Sequence, residues 1–100
     1  MPSFHVEVPH NMTEEDAANR IKDVMERMRG KFEGQVKDMQ QDWTGNSMQF
    51  SFKTMGLGIK GEMVAFSESV VVKGDLPFAA ALFKGRIESS IREELEKVLD

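Results

Sequence analysis

WTGNSMQFSFKTMG, residues 43–56, is the stretch whose reading decides the fold. Met48, Phe50 and Phe52 alternate with Gln49, Ser51 and Lys53. That period of two describes a strand with one buried and one wet face. Turn residues bound it on both sides. Thr44-Gly45-Asn46-Ser47 precedes it, with Gly45 and Asn46 able to take positive φ, and Met55-Gly56-Leu57-Gly58 follows. A strand between two tight turns belongs to an antiparallel meander.

Working outward, Gln35 to Trp43 reads as the preceding strand, with Met39, Gln41 and Trp43 on one side. The glycines at 30 and 34 argue against the alternative, a continued helix. Ile59 to Phe66 is the next strand, weakened by Gly61, and Ser69 to Lys73, with three consecutive valines, is the last. Near the N-terminus Phe4, Val6 and Val8 alternate with His5 and Glu7, and Pro9 ends that strand. A helix follows over 13–32, capped by Asn11 or Thr13, with Glu14, Glu15 and Asp16 in its first turn. Its apolar stripe is Ala17, Ile21, Val24, Met25, Met28 and Phe32. Asp75 is the expected cap of a final helix over 77–99 with the stripe Ala80, Phe83, Ile87, Ile91, Leu95 and Val98. Gly85 inside that helix suggests a close approach to the sheet. The order is strand, helix, four strands, helix: one α+β domain over 1–100, an antiparallel sheet with both helices on one face, similar to helix-grip arrangements. Gln49, Ser51, Lys53, Lys60 and Glu62 then face outward.

Composition narrows the function classes. The net charge is −4 with basic and acidic residues interleaved, which argues against nucleic acid as a partner. There is no cysteine, so disulfides and thiolate chemistry are excluded. No leader pattern and no apolar run of spanning length is visible, and the expectation is a cytoplasmic bacterial protein without a membrane span. No cofactor or metal is expected. His5 and His10, the two histidines, have poor ligand spacing and read as exposed. MGLGIKG joins strand to strand, so it lacks the helix N-terminus a phosphate loop needs. No nucleophile elbow occurs, and the carboxylate pairs lie on helix surfaces. The polar residues expected nearest the interior are Gln41, Lys84 and Arg86. These features describe a protein that is not an enzyme.

The eight methionines read as ordinary core filling or, on a sharper reading, as the lining of a plastic apolar cavity. Met28, Met39, Trp43, Phe50, Phe52, Met63, Phe83 and Ile87 are the candidate lining of an apolar cavity between sheet and helices. Met55, Val64, Phe66 and Val71 are the candidates for an apolar patch on the outer sheet face, suited to a homodimer.

WTGNSMQFSFKTMG and GDLPFAAALFKGRIESSIREELEKVL, residues 74–99, resemble the small polyhydroxyalkanoic acid system proteins. The shared elements are a tryptophan ahead of a hairpin, the F-x-F strand, and a final helix of the pattern LPF…FKG.IE..I…L. The resemblance runs from the first helix to the end. It implies a link to polyester storage granules and supplies neither a reaction nor a binding residue. The expected function is a non-catalytic accessory or binding protein whose partner is an apolar small molecule or a polyester granule surface. The alternative is a structural protein that forms a homodimer through its sheet and needs no ligand.

Overall fold

The computed structural model describes residues 2–28 and 37–100. Five strands and two helices follow the expected order: β1 (Ser3–Pro9), α1 (Glu14–Met28), β2 (Lys37–Thr44), β3 (Ser47–Thr54), β4 (Leu57–Ala65), β5 (Ser69–Asp75) and α2 (Lys84–Leu99), with a 3-10 helix at Phe78–Phe83 between β5 and α2. All neighbouring strands are antiparallel, in the order β1-β5-β4-β3-β2. The expected end of the first helix at 32 and the start of the next strand at 35 fall at 29–36, outside the described residues.

Local chemistry explains the punctuation. Of the two candidate caps for α1, Thr13 takes the role: the Asp16 amide donates to its Oγ1 at 3.0 Å. Gly45 adopts φ 61° at the first position of the two-residue β2–β3 hairpin, whereas Asn46 keeps a negative φ. That is the pattern of a type II′ turn. The β3–β4 hairpin turns on Met55 (φ 53°) and Gly56 (φ 77°), both left-handed, as a type I′ turn requires.

The register lays side chains in transverse rows across the sheet. Val6, Val72, Met63, Met48 and Trp43 form one row facing the helices, and Phe4, Gly74, Gly61, Phe50 and Gln41 form the next. The first row builds the core with Ala17, Ala18 and Ile21 of α1 and Leu95 and Leu99 of α2. The second row is filled differently. The Phe4 ring covers Gly74 and the Phe50 ring covers Gly61, so the aromatic rings occupy the space of the missing side chains. Carbonyl oxygens of Lys60 and Lys73 also stand where a Cβ on these glycines would project. Neither Gly61 nor Gly74 leaves room for a side chain.

The helices seal one edge of the sheet. α1 packs on β4, while α2 runs along β1 and touches α1. Glu88 and Arg92, one turn apart on α2, meet the free edge of β1: the His5 amide donates to Glu88 Oε2 at 2.9 Å, and Arg92 Nη1 donates to the Glu7 carbonyl at 3.0 Å. The two side chains stand in for a missing strand, a common device against edge-to-edge pairing. Arg20 of α1 donates to the Val98 and Asp100 carbonyls and so closes the C-terminal end of α2.

Four expectations need correction. Asp75 is not a helix cap but the last residue of β5, paired with Ser3 and Lys60. The final helix does not run unbroken from 77. Pro77 holds an extended conformation, the Ala80 amide closes a tight turn onto the Pro77 carbonyl at 2.9 Å, and the α-helix begins only at Lys84. Gly85 has nothing within 4 Å of where a Cβ would stand, so no close approach explains it. His10 is 8% exposed rather than on the surface.

Candidate functional site

The run LPFAAALF, residues 76–83, is eight consecutive residues without a polar side chain. Composition alone would bury it, since an element apolar on every side normally sits in a core. The fold does otherwise. Leu76 and Ala80 enter the core, and Ala80 is the one buried residue of the 3-10 helix. The tight winding that takes Ala80 inward turns its neighbours out. Phe78 is 78% exposed, Leu82 93% and Phe83 52%, with Ala79 and Ala81 also exposed between them. Lys84, Gly85 and Arg86, directly after the run, are exposed as well. Scattered exposed apolar residues are ordinary, but a contiguous apolar segment marks an interaction surface. Two phenylalanines and a leucine are thus presented to solvent from one short turn.

The residues expected to line an interior cavity separate into groups. Met63 is buried, and Trp43, Phe50, Phe52 and Ile87 pack against the core while half-buried. Phe50 and Phe52 stack with ring centroids 6.2 Å apart. Trp43 donates its indole N–H to Gln41 at 3.0 Å, and the Lys22 ammonium lies 4.7 Å from its ring centroid. Met39 and Phe83 are about half exposed and stand apart from this cluster. The Met28 side chain lies outside the described residues. Of the polar residues expected near the interior, only Gln41 is half-buried; Lys84 and Arg86 are at the surface.

Of the outer-face candidates, Val64 and Val71 are direct cross-strand partners. Met55 sits at a hairpin tip and Phe66 just past β4, so the four do not form one continuous patch. A trough of about 770 Å³ crosses the strands between two rows of polar side chains on this face, including Lys60, Glu62, Lys73 and Asp75. Its charges answer one another. Lys73 reaches Glu62 at 3.8 Å, and Gln49 donates to Glu62 at 2.9 Å. That is the solvated face of a sheet rather than a set of groups converging on a ligand.

His10 is engaged in structure. The Met12 amide donates to its Nδ1 at 3.1 Å, and its Nε2 lies 2.8 Å from the Phe66 carbonyl, to which it must donate. These two bonds define the neutral Nε2–H tautomer and join the β1–α1 connection to the β4–β5 turn. Among the described residues no group of three or more His, Asp or Glu side chains is placed to hold a metal. No helix among them is long and apolar enough to cross a membrane.

The exposed segment is the feature sequence reasoning missed. The available signal was the unbroken apolar run itself, which has no polar face to turn toward water. No curated protein and no solved structure matches the chain at a significant level. One family profile does, described as "Putative polyhydroxyalkanoic acid system protein" and matched over residues 4–99. That match takes in every element of the fold and the exposed segment, and the chain belongs to this family of polyhydroxyalkanoic acid system proteins.

Proposed function

We propose that this protein is a non-catalytic accessory protein of the polyhydroxyalkanoic acid system and attaches to the apolar surface of the polyester granule through Phe78–Phe83. The observation that carries this reading is the exposure of Phe78, Leu82 and Phe83 on a segment with no polar side chain. Membership of a polyhydroxyalkanoic acid system family supports a polyester granule as the partner. Burial of Leu76 and Ala80 supports the geometry, because it roots the segment in the core while its larger side chains stay outside.

Fractionation of granule-forming cells tests the proposal. The wild-type chain is expected to sediment with the granules and Phe78→Ser/Leu82→Ser to remain in the supernatant at equal expression. A wild-type chain found wholly in the supernatant would overturn it. The competing reading, a homodimer through the sheet, has the Val64–Val71 pair amid polar neighbours to work with. It requires a concentration-dependent dimer in sedimentation that Val64→Thr/Val71→Thr dissolves.

A further inference from the structure

We infer that Lys84 and Arg86 make this segment an anchor for an anionic phospholipid layer, so that the surface it meets carries negative headgroups above an apolar interior. The inference rests on the reading that Phe78–Phe83 is the contact segment and adds the chemistry of what it contacts. Three observations carry it.

The first is a charge placement that works against local helix energetics. α1 opens on Glu14, Glu15 and Asp16, which complement the positive end of its dipole. α2 has no acidic residue in its first turn and opens on Lys84 and Arg86 instead. Basic side chains at a helix N-terminus are unfavourable for the helix itself, and a local rule broken without compensation inside the fold points to a use outside it. The second is availability. Both side chains are exposed, and among the described residues neither is held in an ion pair. The next carboxylate along α2, Glu88, is turned to the β1 backbone. The third is polarity of the whole molecule. No acidic residue occurs from Leu76 to Ile87, although the chain carries a net charge of −4. An anionic surface repels the net acidic chain and attracts this basic segment, so the apolar run is turned toward the layer. Apolar side chains beside lysine or arginine are the arrangement of interfacial anchors.

Flotation of the full chain with vesicles tests the inference. The vesicles are pure phosphatidylcholine or phosphatidylcholine with about a third phosphatidylglycerol, and lipid-free polyester particles serve as a third surface. The expected result is roughly 30-fold tighter binding to the anionic vesicles than to the neutral ones, from two basic side chains at a charged surface. Lys84→Gln/Arg86→Gln should erase that preference without lowering the melting temperature. Equal binding to both vesicle types, or a preference that survives in the double variant, would overturn the inference. Binding to polyester particles but to no vesicle would overturn it while leaving the contact segment standing. Binding to none of the three surfaces would overturn both. A dimer that Leu82→Ser dissolves, with no vesicle binding, would assign the segment to a second copy of the chain and overturn the inference as well.

Discussion

Gly74 and Gly85 should respond to the same substitution with opposite signs. At Gly74 an added methyl meets the Lys60 carbonyl oxygen of the neighbouring strand, and two atoms of the Phe4 ring at 2.8 Å. Neither obstacle can yield easily. The carbonyl belongs to a paired strand, and Phe4 is among the largest fully buried side chains, so its ring has nowhere to turn. Overpacking of this kind costs about 1–3 kcal/mol, and two rigid obstacles place Gly74→Ala near about 3. The lower unfolded-state entropy of alanine returns roughly 0.4–1 kcal/mol, leaving a net loss of about 2 kcal/mol. At Gly85 nothing lies within 4 Å and the backbone is helical, so Gly85→Ala should gain about 0.5–1 kcal/mol. Urea denaturation followed by the fluorescence of Trp43, the single tryptophan, measures both. In thermal melts a loss of about 2 kcal/mol corresponds to roughly 8–16 °C for a domain of this size. A Gly74→Ala chain as stable as wild type would refute the packing of Phe4 over Gly74.

Two further substitutions probe the polar connections. His10→Leu removes the acceptor of the Met12 amide and the donor to the Phe66 carbonyl, and should cost about 1–3 kcal/mol in the same denaturation assay. Glu88→Ala/Arg92→Ala uncovers the β1 edge; stability should fall by roughly 1 kcal/mol, and sedimentation should reveal larger species, because an open edge is a template for pairing.

The parts of the fold legible in the sequence are those set by neighbours along the chain. Alternation from Met48 to Lys53, the hairpin glycine Gly45 and the Thr13 cap each depend on a few adjacent residues, and each is found where local chemistry places it. What was not legible depends on distant partners. Gly61 looks like a weakness in a strand until the register sets Phe50 opposite it. His10 looks exposed until the β4–β5 turn, 56 residues away, brings the Phe66 carbonyl to it. Phe83 and Ile87 share a helical spacing, yet Phe83 ends the 3-10 helix half exposed while Ile87, in α2, packs against the core. Spacing gives the face that residues share and not whether that face meets the sheet or the solvent. The candidate site escaped notice for the same reason: LPFAAALF reads as core material, and only the descent of Ala80 into the core turns Phe78 and Leu82 outward.

The most direct test of the central claim is the affinity of wild type and Phe78→Ser/Leu82→Ser for lipid-free polyester particles, with melting temperature measured alongside. Each side chain contributes about 1.5–3 kcal/mol when fully buried, and partial insertion of the pair gives roughly 3 kcal/mol in all. The account predicts a loss of affinity of about 100-fold. Because both residues are largely exposed, stability should stay within about 0.5 kcal/mol of wild type. Equal affinity of the two chains for the particles would contradict it.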